Sequence, residues 1–249
     1  RRCVDCVTQG EADRERELSR RLEALHEIRR FNQIIKTNME RVCTKASPDG
    51  KNPDRAPADL VRPFRASALI SVQLDALDLL ANPTSAMSFN PREWVFYRVV
   101  DKMVRIFEVL SEGRGVQLSL SGASTAKILA DERTIHIIPS AFIDNAIKYS
   151  KRGGKVEIHV SDGVRDNRLV VTCAVRSDGP PATPDEEQRL FRGRGRGEAA
   201  RTMAEGTGVG LALAKVVADQ HGGTVSALQR RTSLERSEWT FSCEIPVVR

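Results

Sequence analysis

The chain predicts an α+β fold: an N-terminal antiparallel helical hairpin followed by an α/β sandwich. Two observations lead there. Apolar residues recur every three or four positions through the first third of the sequence. Short alternating strands, broken by helical stretches, fill the rest. At 249 residues, 40% hydrophobic and 29% charged, the chain has room for two modest domains, which we place at 1–82 and 83–249. Aromatics make up only 5%, so Leu, Ile, Val and Ala must form most of the core.

In the first helix, from about Glu11 to Ala46, Leu18, Leu22, Leu25, Ile28, Phe31, Ile35, Met39 and Val42 mark the apolar stripe. The stretch Ser47–Pro57, dense in Pro, Gly, Asp and Asn, reads as a loop. A second periodic run, Ala58 to Ala81, forms the returning helix, with Pro63 near its start. Such a hairpin leaves an apolar stripe uncovered and is expected to dimerise into a four-helix bundle. Beyond it, "MSFN" looks extended and "PREWVFYRVVDKMVRIFEVLSEG" reads as a helix with Gly113 just past its end. Strands are expected at "VQLSLSG" and "AKILA". A helix follows over about Asp131 to Tyr149, with Pro139 forcing a kink or a late start. "KVEIHVSDG" and "NRLVVTCAV" make a hairpin, Val209 to His221 a helix, and "GTVSAL" with "EWTFSCEIPV" a closing strand pair.

The charge balance, 39 Lys+Arg against 33 Asp+Glu, is spread along the chain, with no basic and aromatic face of the kind nucleic-acid binding uses. No run approaches the roughly 18 apolar residues of a membrane span, so no membrane contact is expected within this chain. Five scattered cysteines favour a reducing, cytoplasmic setting, whether the chain stands alone or as the cytoplasmic part of a larger protein. Cys3 and Cys6 form a single CxxC, too little for a metal site.

Three stretches carry chemistry. "AFIDNAIKYS" stacks Asn145, Lys148 and Tyr149 on one helical face, an amide, an ammonium and a phenol that make poor core material. "AVRSDGPP" places an acid and a glycine just after a strand. "EGTGVGLALAKVV" sets Gly206, Gly208 and Gly210 directly before a helix, where backbone N–H groups can close around an anion. Each is a weak signal alone. In this order they resemble the ATP-binding domain of the GHKL (Bergerat-fold) superfamily, specifically the sensor histidine kinases. "NAIKYS" matches the N box, "SDGPP" the first glycine box, "LFRG" part of the lid and "GTGVGLALAKVV" the second glycine box. The upstream "LHEIRR" is similar to the phosphoacceptor H box of a dimerisation and histidine-phosphotransfer (DHp-like) hairpin.

The resemblance implies ATP and Mg²⁺ as cofactors and assigns roles. Asn145 offers its amide oxygen to Mg²⁺, Lys148 neutralises phosphate charge and Tyr149 lies against base or ribose. Ser177, Asp178 and Gly179 belong to the base-reading end. Gly206, Thr207, Gly208, Val209, Gly210 and Leu211 cradle the phosphates. A lid between Gly179 and Gly206 carries Phe191, Arg192, Arg194, Arg196 and Arg201. His26 becomes the phosphoacceptor, with Glu27 drawing off its proton, and a receiver-domain Asp of a response regulator takes the phosphoryl group. Partner specificity falls on residues such as Arg29, Gln33 and Lys36, while His136, His159 and His221 are structural.

Four positions depart from the family pattern. Ala141 stands where a second Asn is usual and where DNA gyrase carries its water-activating Glu. The adenine-reading Asp aligns with Ser177, the acid present coming one residue late at Asp178, and Pro181 replaces a glycine. Strand alternation puts Asp178 on the opposite face from Ser177 unless a bulge re-phases the chain. Arg30 occupies the position where Thr or Asn supports phosphatase activity, and Phe31 replaces a customary Pro, which implies a straighter helix. These departures keep open a non-catalytic pseudokinase scaffold or a histidine phosphotransfer protein, and, with less support, a GHKL serine or threonine kinase.

Overall fold

The computed structural model describes residues 2–81, 89–192 and 208–248, with side chains described from residue 23 onward. It divides into two compact units, 1–77 and 78–249. Several expected site residues, Gly206, Thr207 and the arginines Arg194, Arg196 and Arg201, lie outside the described residues, as do the side chains of Cys3 and Cys6.

The first unit is the expected hairpin. Helix α1 (Arg2–Ala46) and helix α2 (Ala58–Ala81) are joined by a loop containing a one-turn 3₁₀ helix, Pro53–Arg55. Asp49 organises that loop by accepting the backbone N–H groups of Lys51 and Asn52, the Ser47 hydroxyl and the Arg55 guanidinium. These bonds hold its carboxyl far below the ordinary range.

Beside the buried apolar residues Val61, Ala68, Val72 and Leu74 of α2, a polar cluster joins the two helices. Asn32 is 4% exposed, and its amide nitrogen donates to the Ser67 carbonyl (3.0 Å) and the Ser71 hydroxyl (2.9 Å). The Ser67 hydroxyl donates back to its amide oxygen at 2.9 Å. One turn toward the N-terminus Arg29 bridges to Asp75 (2.8 Å) and donates to the Leu74 carbonyl. Toward the loop the buried Cys43 thiol donates to the Leu60 carbonyl. The apolar residues Ile28, Phe31, Ile35 and Val42 are exposed, as are Ile70 and Leu77 of α2, which is the uncovered stripe the sequence predicts.

The second unit is a five-stranded sheet covered on one face by helices. In chain order its described elements are β1 (Arg92–Val95), α3 (Phe96–Arg114), β2 (Gln117–Gly122), β3 (Lys127–Ala130), α4 (Ile137–Tyr149), β4 (Lys155–Arg165), β5 (Arg168–Gly179), α5 (Pro184–Arg189), α6 (Gly210–Gln220), β6 (Thr224–Arg231) and β7 (Ser237–Pro246). The sheet order is β2-β4-β5-β7-β6, with only the β2–β4 pair parallel. β1 pairs antiparallel with β3 in a small separate ribbon. Alternation along β4, β5 and β7 turns Val156, Ile158, Val160, Cys173, Val175, Phe241, Cys243 and Ile245 inward. Against them pack Phe142, Ile143 and Ile147 of α4, Leu213, Ala214 and Val217 of α6, and Phe96, Val100 and Phe107 of α3.

Two boundaries moved. Arg92–Val95, expected as the opening of a helix, is strand β1, because pairing with β3 satisfies its backbone while Trp94 and Val95 suit a half-buried ribbon. Helix α3 runs through Gly113 to Arg114, and Gly115, at φ 64°, is the residue that ends it. Helix α4 starts late, as Pro139 required, with that proline in its first turn. Asp166 and Asn167 both take positive φ in the β4–β5 turn, the two-residue hairpin geometry that Asn and Asp tolerate.

His221 closes the fold from inside. Its Nε2 accepts the Asp131 backbone N–H (3.1 Å) and its Nδ1 donates to the Val217 carbonyl (2.7 Å), so the ring is neutral. Burial lowers its pKa below 6.5, and the carboxyl of Asp131, held by Arg133 and the Asn90 N–H, is pushed down to about 2.

Two predictions follow from these contacts. Asn32→Ala leaves the Ser67 hydroxyl and carbonyl without their partner and should cost about 1–3 kcal/mol, read as a lower midpoint in denaturant unfolding of the hairpin. For His221 the unfolded chain binds the extra proton, so its contribution to stability is complete above about pH 6.5 and is lost as pH falls through the folded pKa below it. Thermal midpoints measured from pH 8 to 5 should therefore fall on acidification, and His221→Gln should flatten that slope.

Candidate functional site

The site is built on α4. Phe142, Ile143, Ala146 and Ile147 are buried and fix the helix against the sheet, with Phe142 5.9 Å from Phe241 between ring centroids. That rotation leaves Ala141, Asn145, Lys148 and Tyr149 half-buried along one stripe. From Ala141 to Tyr149 the stripe runs about 12 Å at 1.5 Å per residue. Lys148 Nζ lies 5.9 Å from the Tyr149 ring centroid, a cation–π approach, and Arg114 donates to the Lys148 carbonyl at 3.0 Å. Asn145 has no side-chain hydrogen bond among the described residues, so its amide is available to a ligand.

Each end of the stripe meets one of the other motifs. At one end, a Cβ placed on Gly210 would lie 3.8 Å from the Cβ of Ala141, so the start of α6 sits against α4. Gly208, at φ 70°, takes the left-handed turn into that helix, which only glycine makes without strain. No described side chain caps α6, so its first N–H groups are free to meet an anion. At the other end, a Cβ on Gly179 would lie 3.8 Å from the Tyr149 Cβ and 3.0 Å from Trp239 Cδ1, a fit so tight that any side chain there would have to shift the indole. Trp239 is stacked on Phe241 and its indole N–H donates to the Pro180 carbonyl at 2.8 Å. Gln229 then pins Ala182 with a pair of hydrogen bonds, of 2.6 and 3.0 Å. The chain leaving β5 is thereby held by two side chains through Ala182. Thr183 and Glu186 form a capping box that starts α5 just beyond it.

The structure thus brings Asn145, Lys148, Tyr149, Gly179, Gly208, Val209, Gly210 and Leu211 to one stripe and its two ends. It sets Asp178 apart. No bulge interrupts the pairing of β5 with β4 or β7 at this point, so Ser177 faces inward and Asp178 outward. Asp178 binds the Arg236 guanidinium instead (2.8 Å from Nε), and Arg236 also donates to the Tyr149 carbonyl. The inclusion of Asp178 among base-reading residues is corrected accordingly: its carboxylate ties the β6–β7 turn to the end of α4. Ser177 keeps its inward position at 6% exposure.

Sequence reasoning missed Asp144, Arg114 and Trp239. Asp144 is half-buried beside Asn145. Burial raises its carboxyl pKa, and the charges of Lys148 and Arg114 oppose that rise. Its four-residue spacing to Lys148 was the available signal. Arg114 and Trp239 are brought in by other elements and gave none. In the other unit His26 and Glu27 are exposed neighbours on α1, as is Arg30. Arg29, expected to face a partner, is engaged with Asp75 inside the hairpin, which leaves Gln33 and Lys36 of that trio. His159 is exposed and meets the Ser121 hydroxyl, and His221 is internal.

Residues 130–249 match the family of histidine kinase-, DNA gyrase B-, and HSP90-like ATPases. The chain is 31% identical over 160 residues to the histidine protein kinase DivJ of Caulobacter vibrioides, covering 62% of this chain and 26% of that protein. It is 29% identical over 151 residues to the sensor-like histidine kinase SenX3 of Mycobacterium bovis, covering 60% and 35%. The chain therefore spans roughly a quarter to a third of the length of these relatives. Among solved structures, the catalytic domain of histidine kinase ThkA superposes with a TM-score of 0.52 at 21% identity, covering 63% of this chain and 97% of that one. Full-length ShkA, in complex with AMPPNP, superposes with a TM-score of 0.54 at 20% identity, covering 91% and 46%. Residues 130–249, which hold the stripe along α4, are thus similar to the histidine kinase-, DNA gyrase B- and HSP90-like ATPases, and the chain is similar to sensor histidine kinases over about 60% of its length.

Proposed function

We propose that the chain is the phosphotransfer and ATP-binding core of a two-component sensor histidine kinase. The observation that carries this reading is the pairing of an ATPase domain with an exposed His26–Glu27 on a helical hairpin. Structure and relatives support the nucleotide domain directly, and the H-box-like "LHEIRR" extends the reading to the hairpin.

Asn145 presents an amide oxygen to a divalent cation. One such oxygen, completed by phosphates and water, suits Mg²⁺, which draws charge off the β- and γ-phosphates when bound. Ala141 offers no second oxygen and no base to activate water, so the stripe favours holding the nucleotide over hydrolysing it. Lys148 neutralises phosphate charge, and the α6 N-terminus with its glycines donates backbone N–H groups to the phosphates. Tyr149, at the Gly179 end, lies against base or ribose.

The chemistry at His26 is a phosphoryl transfer. One ring nitrogen forms a bond to the γ-phosphorus, the bond from that phosphorus to the β,γ-bridging oxygen breaks, and ADP leaves. Glu27 accepts the proton from the other ring nitrogen. A receiver-domain aspartate of a response regulator then takes the phosphoryl group. Arg30, where an amide or hydroxyl would position water, leaves hydrolysis of the receiver's phosphoaspartate to aspartate and inorganic phosphate weak.

The exposed seam Ile28, Phe31, Ile35 and Val42, joined by Ile70 and Leu77, provides the surface for a homodimeric four-helix bundle. In those relatives the matched region is about a quarter to a third of the protein, and no described helix of this chain is long and apolar enough to cross a membrane. We place its activity in the cytoplasm, where ATP and the receiver domain are found.

Incubation with γ-labelled ATP and Mg²⁺ should label the wild-type chain with an acid-labile, base-stable phosphate. His26→Gln should remove the label entirely and Asn145→Ala should reduce it at least about tenfold. An unlabelled wild type at millimolar ATP would move the reading to a phosphotransfer protein or a scaffold. Sedimentation equilibrium should find a dimer, and Phe31→Glu with Ile35→Glu should convert it to a folded monomer. A wild type that stays monomeric would refute the bundle.

A further inference from the structure

The end of the stripe at Gly179 holds features the reading above does not use. On the inward face of the sheet Ser177 sits in register between Val156 of β4 and Trp239 of β7, and Trp239 is followed by Gln229 of β6. Ser177 is 6% exposed, and none of the described residues hydrogen-bonds its hydroxyl. Ser237 lies on the same face opposite Gly179, fully buried, and its hydroxyl lacks a partner among the described residues. Native proteins rarely leave a buried hydroxyl such as that of Ser237 unsatisfied, which points to a polar ligand group at this end of the stripe.

The walls of this corner are neutral. Val156 and Trp239 flank Ser177, Gln229 is committed to Ala182, and the Trp239 N–H to Pro180. Of the carboxylates on the elements around it, Asp178 faces outward onto Arg236, and Asp144 lies back along α4 beside Lys148 and Arg114. We propose that Ser177 reads the base of the nucleotide and that, being neutral, it admits 6-oxo purine nucleotides such as GTP and ITP alongside ATP. This rests on the nucleotide-binding reading and adds the substrate class.

The argument is one of donors and acceptors. An ionised carboxylate only accepts, so it welcomes the amino group of adenine and repels the 6-oxygen of guanine or hypoxanthine. A hydroxyl rotates, giving one donor and two acceptors, and serves either edge. The large discrimination that a dedicated hydrogen-bonding group creates against the wrong partner is then absent.

Titration of the full chain with ATP, GTP and ITP, each with Mg²⁺, tests this. Wild type should bind the three within about tenfold of one another. Ser177→Ala should weaken all by about 3- to 10-fold and leave their ratio unchanged, the loss of one neutral hydrogen bond. Ser177→Asp should favour ATP over GTP by a further tenfold or more, provided its melting profile shows it folded. A wild type preferring ATP by more than a hundredfold, or a Ser177→Ala chain indistinguishable from wild type, would overturn the proposal while the kinase reading stood. Failure of every folded variant to bind any of the three would overturn both.

Discussion

The nucleotide domain depends on how α4 is seated on the sheet. Phe142 against Phe241, with Ile143 and Ile147 on either side, sets the rotation of that helix about its own axis. A helix turns 100° per residue, so a modest change in this seating would carry Asn145 and Lys148 off the line between Gly210 and Gly179. Both glycines lie in ordinary van der Waals reach of the same helix, beside Ala141 and Tyr149. The chemistry-bearing side chains are therefore placed by apolar contacts on the far side of the helix.

Much of this was legible in the sequence because the relevant patterns are local. The three motifs, the strand alternation through Cys173, Val175 and Ser177 and the late start of α4 at Pro139 each follow from short-range periodicity or backbone chemistry. What escaped was long-range. Arg114 reaches α4 from the preceding helix, Trp239 arrives from the last strand and Arg236 from the turn before it. Nothing near those residues in the chain announces their partners. Asp178 is the instructive case, since its offset by one position was visible but its partner Arg236, 58 residues on, was not.

The hairpin shows a different gap. The apolar periodicity of α1 predicted an uncovered stripe, and Ile28, Phe31, Ile35 and Val42 are indeed exposed. It gave no sign of the polar contacts that join the two helices beside the buried Val61, Ala68 and Val72, namely Arg29 to Asp75 and Asn32 to Ser67 and Ser71. Satisfied buried polar groups fix register more sharply than apolar ones, because a slipped register strands each of them without a partner. The hairpin therefore has a defined pairing of its own, and its apolar seam is left for a second surface. Periodicity detects a face that avoids water; it does not say which neighbour removes the water.

Helix α1 contains no proline and runs unbroken from Arg2 to Ala46, with Phe31 rather than a helix-breaking residue just past His26. Without a proline hinge, such a helix bends little and behaves as a shaft. From Arg2 to His26 it extends about 36 Å at 1.5 Å per residue. A twist of the helix about its own axis over that length would appear at His26 as a change of azimuth. His26 and Glu27 sit partway along this straight helix, and the azimuth of the helix sets the direction in which both exposed side chains point.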